Sequence, residues 1–390
     1  MPRVLSFALL FAVMLTVVGA VHYYVWARLV RDLALPSLWH RALTAGLVVL
    51  FVLVPLSFFL RRTGAAWTVP LVWVSSVWLG LLLLFLLVLG ATEAGRGIWT
   101  LGARLASAPS PDPERRLALA RLFGLVSLLL TGGLAAVAVR SGLARVALRE
   151  VDVRLRRLPR ELDGTTIVQL TDVHVGPTIG RAFIEEIVAR TNAAAPDVIV
   201  ITGDLVDGSV EDLREQVAPL AGLKARYGVY FVTGNHEYYS GAQAWCEELG
   251  RLGIKVLRNE RVSIGSANAS FDLAGIDDAH AHQFGHGHGA DLARAVRGRD
   301  SSRELVLLAH QPRAVFEAVE HGVGLQLSGH THGGQIWPWN FLVRLQQPVV
   351  AGLARFSDTQ VYVSRGTGYW GPPMRLAAPA EITRVTLRAG

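Results

Sequence analysis

The chain of 390 residues is longer than one typical domain, carries a formal net charge of +7, and is 51% hydrophobic with a single cysteine. All but two of its 38 basic residues are arginine, Lys224 and Lys255 being the exceptions, and no nucleic-acid-binding module accompanies them, so the charge does not mark a nucleic-acid partner. Cys246 stands alone and in no metal-ligand spacing, which excludes an internal disulfide and leaves it as a small buried apolar residue.

Four apolar stretches, near 4–26, 42–60, 66–90 and 118–139, are each long enough for a helix to cross ~30 Å of hydrocarbon. Residues 1–139 therefore read as a transmembrane anchor domain of a multi-pass cell membrane protein. The first stretch also has the form of a signal peptide, with Arg3 before an apolar run ending at Val18-Gly19-Ala20, but the later three would hold the chain in the membrane regardless. Trp26, Trp39, Trp67 and Trp99 lie near the span ends, where aromatic rings are favoured. The spans hold almost no ionisable groups; His22 lies near the end of the first and Glu93 just past the third, which favours an anchor over a transport pathway. Residues 91–117 read as a loop, with Pro109-Ser110-Pro111-Asp112-Pro113 as a non-helical connection.

Residues 140–163 form a basic juxtamembrane linker with Arg140, Arg145, Arg149, Arg154, Arg156, Arg157 and Arg160, suited to an anionic membrane surface. With four spans, the arginines on the side shared by the amino terminus and the second domain slightly outnumber those of the opposite loops, which leans that domain toward the cytoplasm. From 164 to 390 apolar runs alternate with helical patterns. Strands are expected at 166–171, 197–202, 228–233, 304–309 and 324–328, and helices at 180–195, 209–224, 241–252 and 311–321. Further strand-like runs at 271–275, 360–364 and 381–387 come where helical patterns are scarce, so an α/β fold with a two-sheet β-sandwich flanked by helices fits.

Each of the five main strands ends in polar residues: Asp172-Val173-His174, Gly203-Asp204, Gly234-Asn235-His236-Glu237, Ala309-His310-Gln311 and Gly329-His330-Thr331-His332-Gly333. Strand ends of open α/β sheets are where ligand groups gather, and carboxylate, imidazole and carboxamide brought together there make a site for two divalent metals. Asp204 is the candidate bridge. Oxygen donors from Asp172, Asp204 and Asn235 mixed with imidazoles from His174, His310, His330 and His332 suit Mn, Fe, Zn or Co better than Ca or Mg.

The order Asp-x-His, Gly-Asp, Gly-Asn-His-Glu, His and Gly-His-x-His resembles the calcineurin-like metallophosphoesterase superfamily over nearly all of residues 164–390. The run from Thr171 to Pro177 and the run from Gly329 to Gln335 look like its branch of membrane-associated bacterial phosphoesterases, which includes some UDP-diacylglucosamine pyrophosphatases. That resemblance implies one metal on Asp172, His174, Asp204 and His332, a second on Asp204, Asn235, His310 and His330, and His236 as the catalytic imidazole. Many relatives carry Asp where this chain has Glu237, a change read as an adjustment beside the ligands. The implied activity is hydrolysis of a phosphoester or pyrophosphate bond, of a lipid-linked or nucleotide-linked substrate, by a metal-activated hydroxide. Competing readings are a tethered phosphodiesterase for a soluble substrate and a catalytically silent scaffold or sensor. Oligomeric state is not legible.

Two loops invite a role in specificity. The apolar run from Ile336 to Leu342 is expected to cover the end of the core, the alternative being contact with an acyl chain or the membrane interface. In the run from Gly368 to Arg375, Arg375 reads as a surface arginine or a phosphate contact. The histidines at 280, 282, 286 and 288 read as a flexible loop, with Asp277 and Asp278 capping a strand end.

Overall fold

The computed structural model describes residues 2–61, 65–107, 112–285 and 287–390; residues 109–111 of the proline-rich connection and His286 lie outside the described residues. The chain divides into two compact units, residues 1–140 with 371–374, and residues 141–370 with 375–390.

The first unit is helical: α1 (Pro2–Trp26, continued by a π turn at Ala27–Arg31), α2 (Ser37–Leu60), α3 (Val69–Leu105) and α4 (Pro113–Gly142). Among the described residues four helical stretches, Phe11–Arg31, Ser37–Leu60, Val69–Leu105 and Pro113–Gly142, are long and apolar enough to cross a membrane. Residues 91–105, expected from the sequence to be loop, instead continue α3. Their glycines are diluted by Ala, Leu, Glu and Arg, all good helix formers, and Glu93 and Arg96 pair across one turn at 2.9 Å. Glu93 also meets Arg28 at 3.3 Å. In α4 the buried residues Gly124, Ser127, Thr131, Ala135 and Ala138 recur every three or four positions, a small-residue face of the kind that lets apolar helices approach closely.

Among the described residues the second unit contains twelve strands: β1 (Ala147–Leu155), β2 (Thr166–Leu170), β3 (Val198–Ile201), β4 (Val229–Phe231), β5 (Lys255–Val256), β6 (Glu260–Gly265), β7 (Ser270–Gly275), β8 (Leu305–Leu308), β9 (Leu325–Ser328), β10 (Gly352–Phe356), β11 (Thr359–Val363) and β12 (Glu381–Ala389). They form two mixed six-stranded sheets, ordered β1-β12-β2-β3-β4-β5 and β10-β11-β9-β8-β7-β6. Its principal helices are α5 (Arg181–Ala193), α6 (Val210–Val217), α7 (Asn235–Ser240) and α8 (Ala242–Arg251).

Between the sheets lie Ile167, Val198, Val200, Phe271, Leu273, Val306, Leu325 and Tyr362, while alternate residues of β2 and β3 face outward onto Ile184, Ile187, Trp245 and Leu249 of α5 and α8. Strands buried on both faces explain the largely apolar runs in the sequence. Because β2, β3 and β4 are parallel with Leu170, Ile201 and Phe231 in register, and β8 and β9 are parallel with Leu308 opposite Leu327, each group of strands ends at one level. The Gln169 amide links the two groups by donating to Thr202 Oγ1 at 2.8 Å and to the Ser328 carbonyl at 2.9 Å.

β1 occupies residues read from the sequence as linker. Val153 and Leu155 turn inward while Arg149, Glu150, Asp152 and Arg154 stay exposed, and β1 pairs in parallel with β12. Its charges meet partners along that strand, Asp152 with Arg388 at 2.9 Å and Glu150 with Arg384 at 3.1 Å. Cys246 sits partly buried on α8.

Burial sets an expectation for stability. Phe271→Ala, emptying a ring site between the sheets, should lower unfolding free energy by about 3–5 kcal/mol, whereas Leu148→Ala on the exposed edge of β1 should change it by about 0.5 kcal/mol or less; urea titration of the near-UV dichroism of the detergent-purified chain checks the contrast.

Candidate metal centre

The turns after β2, β3, β4, β8 and β9 bring Asp172, His174, Asp204, Asn235, His236, His310, His330 and His332 to one end of the sandwich. Their side chains form interlocking groups. Asp172, His174 and His332 can offer donor atoms to one ion; so can Asp204, His310 and His330, and so can His174, Asp207 and His236. Asp204 Oδ2 lies 3.1 Å from His310 Nε2, 3.9 Å from His174 Nε2 and 4.0 Å from His236 Nε2, a central position among the imidazoles. The Nε2 atoms of His174 and His332 are 3.0 Å apart.

The backbone is strained to reach this geometry. Asp172, His174, Asp204, His330 and His332 all have positive φ, between 50° and 70°, in the left-handed region that side-chain-bearing residues avoid. Each such residue costs on the order of 1–3 kcal/mol, and such conformations cluster at functional sites. Close approach accounts for two glycines: a Cβ on Gly234 would collide with Asp204 Oδ1, and one on Gly329 with Asp172 Oδ2.

Carboxylates hold the turns. Asp172 accepts the His330 N–H at 2.9 Å, and Asp204 Oδ1 accepts the His236 N–H at 2.9 Å. Glu237 is buried and accepts the N–H groups of Asp204 at 2.9 Å, Leu205 at 2.8 Å and Gly234 at 2.6 Å, so it fixes the turns after β3 and β4 to each other. Burial, then the Asp204 charge, push its carboxyl up to about 7.

Asp207 was not among the residues singled out by sequence. Its Oδ1 lies 2.6 Å from His236 Nδ1 and 3.0 Å from His174 Nδ1, orienting both rings. Burial resists its charge, but the two imidazoles outweigh burial and hold its carboxyl well below the ordinary range. The available signal was its place three residues after Asp204 in the same strand-end loop. Burial likewise pulls His236 down, and the charges of Asp204 and Asp207 overcome this and raise it to about 9. His330 moves the other way, pushed down to about 3 by burial and by His310, which leaves its ring neutral and able to ligate.

The donor set fits divalent cations. Asn235 Oδ1 is buried without a hydrogen-bond donor, although buried carbonyl oxygens are normally satisfied. His310 Nδ1 is tied to the Thr202 carbonyl at 2.8 Å, which orients the ring so that Nε2 faces Asp204 and His330. Facing ring nitrogens, as in His174 and His332, need a proton or a cation between them.

Arg375 corrects the sequence reading. It is neither a surface residue nor open to a phosphate: it is 0% exposed, donates to the carbonyls of Gly368 and Ala378, and lies 3.4 Å from His332 Nδ1. The histidine loop is also more tied down than its composition implies. His280 bonds Gln311 at 2.9 Å, beside the buried Asp278, and His288 bonds Arg258 at 2.8 Å; His282 is exposed. None of them joins a candidate metal group among the described residues.

Two mixed sheets between helices, with this strand-end cluster, define a metallophosphoesterase. Residues 165–334 match the family of calcineurin-like phosphoesterases, and the chain belongs to it. The chain is 36% identical over 396 residues to the "Transmembrane protein with metallophosphoesterase domain" of Danio rerio, covering 97% of this chain and 89% of that protein. It is 30% identical over 379 residues to an uncharacterized metallophosphoesterase of Campylobacter jejuni, covering 96% and 97%. Among solved structures, the phosphopantetheinyl hydrolase of Mycobacterium tuberculosis aligns with a TM-score of 0.34 and 11% identity over 54% of this chain and 91% of that one. The protein is thus a metal-dependent phosphoesterase and a membrane protein.

The charge of His236 makes stability depend on pH. In the metal-free chain its value of about 9 lies above the ordinary 6.5, so the stability from its charge is fully present below 6.5 and is lost as pH rises through about 9. In Asp207→Asn, which removes one of the three carboxylates responsible, the His236 midpoint should fall toward 6.5. An NMR titration of imidazole protons after chelation measures it, and an unmoved midpoint would assign the shift to Asp204 and Glu237.

Proposed function

We propose that the protein is a membrane-anchored two-metal phosphohydrolase acting on a phosphoester or pyrophosphate of a lipid-linked or nucleotide-linked substrate. One ion would be held by Asp172, His174, Asp204 and His332, the other by Asp204, Asn235, His310 and His330. The observation that carries this reading is the buried, donorless Asn235 Oδ1 beside the Asp204 carboxylate in a ring of histidines. Ions of the Mn, Fe, Zn or Co type supply Lewis acidity toward a phosphoryl oxygen and lower the pKa of coordinated water.

The chain's own residues do the rest. His236 is the general acid. Its Nδ1 is fixed by Asp207, so Nε2 is the nitrogen left to face substrate and to pass a proton to the leaving oxygen. Asp207 orients it and offsets its charge. The His236 ring is bordered by the rings of Tyr239 and Trp370, centroids 5.4 and 5.7 Å away, which narrow water's access to that proton.

In this reading all four apolar helices cross the bilayer, and the metal centre lies on the cytoplasmic side with the amino terminus; the slight arginine excess on that side supports the orientation.

The test is hydrolysis of bis-p-nitrophenyl phosphate, p-nitrophenyl phosphate and a UDP-linked glycolipid by detergent-purified protein, metal-stripped and resupplied with Mn. Turnover should depend on the metal and disappear in Asp204→Asn, while His236→Ala should lose about 10²–10⁴-fold in kcat. The preferred ester separates a lipid pyrophosphatase from a soluble-substrate diesterase, and no turnover of any ester with metal bound would overturn the reading.

A further inference from the structure

The segment that follows the His330 and His332 turn does not cover the core. Trp337 is 53% exposed, Trp339 49%, Phe341 58%, Leu342 50% and Leu345 81%. The expectation that these rings close the end of the sandwich is therefore corrected; Ile336 alone of the run is buried. Five large apolar side chains on a nine-residue stretch form an apolar ridge, which a water-facing surface does not normally retain.

The ridge is anchored to the metal centre by its base. Gln335 exchanges two hydrogen bonds with the Trp370 backbone, both 2.9 Å, and the Trp337 N–H donates to the Leu376 carbonyl at 3.0 Å. Trp370, itself half exposed, meets the His236 ring. The base is stiff while the tip is apolar and accessible.

The geometry points to a lipid bilayer as the occupant: the ridge from Trp337 to Leu345 inserts into the interface of the membrane and sets the metal centre against phosphoesters of the headgroup layer. Three observations select a bilayer over a protein partner or a soluble ligand. First, the ridge pairs tryptophans with aliphatic and phenyl groups, the mixture that partitions to the headgroup–acyl boundary. Second, charge is complementary to anionic lipid: residues 321–380 contain a single acidic residue, Asp358, and the ridge itself carries the exposed Arg344 between Leu342 and Leu345. Third, the ridge belongs to a chain that carries its own membrane segment: only residues 143–146 separate the end of α4, which is long and apolar enough to cross a membrane, from β1. The inference deepens the phosphohydrolase reading and rests on it for the substrate, a phosphoester carried by a bilayer-resident amphiphile; the insertion itself does not depend on catalysis.

The experiment uses the full chain in nanodiscs of phosphatidylethanolamine and phosphatidylglycerol. In a Cys246→Ser background, a spin label is placed by Leu342→Cys and, as reference, by Glu211→Cys on exposed α6. The label at 342 should collide preferentially with oxygen and be shielded from a water-soluble nickel complex, at a depth of roughly 5–10 Å below the boundary; the label at 211 should show the reverse. Equal nickel access at the two positions would overturn the inference. The triple variant Trp337→Ser, Phe341→Ser, Leu342→Ser should keep turnover of bis-p-nitrophenyl phosphate and lose at least about tenfold on the UDP-linked glycolipid in the same nanodiscs. Retained glycolipid turnover would sink the substrate assignment, and a variant that loses both activities through misfolding leaves the label at 342 to decide. A shielded label in a parent protein that hydrolyses no ester would uphold the ridge and overturn the hydrolase reading instead.

Discussion

Backbone groups at the ends of buried strands have no water to turn to, and in this protein they are satisfied by carboxylates from neighbouring turns. Asp172 serves the turn after β9, Asp204 the turn after β4, and Glu237 the turns after β3 and β4. The bracing is reciprocal, because Asp172 and Asp204 accept these bonds from left-handed conformations of their own, and the Asp204 N–H is accepted in turn by Glu237. Strain is thus spread over several turns that support one another, and a loss at one reaches the rest. Cooperative polar networks of this type specify a single arrangement when every member is paired. Here the Asn235 carbonyl oxygen stands outside the pairing, which makes it the position where a ligand is called for.

The same density of charge divides the titrating groups. His236 is raised and His330 depressed although burial lowers both, because carboxylates around the first outweigh its burial while His310 adds to the burial of the second. Residue type alone therefore does not assign acid or ligand in this cluster. What surrounds each ring does.

Much of the architecture was legible in the sequence wherever burial was complete. β3 and β8 lie under continuous Val, Ile and Leu runs, β2 and β9 under runs that include the buried Gln169 and Gln326, and the polar residues that end those runs are the ones the turns bring together. Legibility failed where exposure diluted the pattern. β1 alternates valine and leucine with charge at a sheet edge, so its arginines and acids masked a strand. α3 hid its extension behind glycines. Asp207 and Arg375 were missed or misplaced for another reason: their roles are defined by what they touch across the fold, His174 and His236 in one case and the Gly368, Ala378 and His332 segments in the other, and no local pattern encodes that. The Trp337 segment misled because an apolar loop next to a polar site is normally a lid on the core.

The position of β12 bears on how the protein is made. β1 emerges directly after α4, yet the one strand it pairs with is β12, and the ion pair between Glu150 and Arg384 spans 234 residues. During synthesis the apolar helices and β2 to β5 can assemble while β1 waits with an open edge and β2 with its outer side bare. Both gaps close in a single event, when β12 slots between them. Until that late clasp is made, two strand edges stay unpaired, the interval in which the nascent chain is most in need of protection from its neighbours.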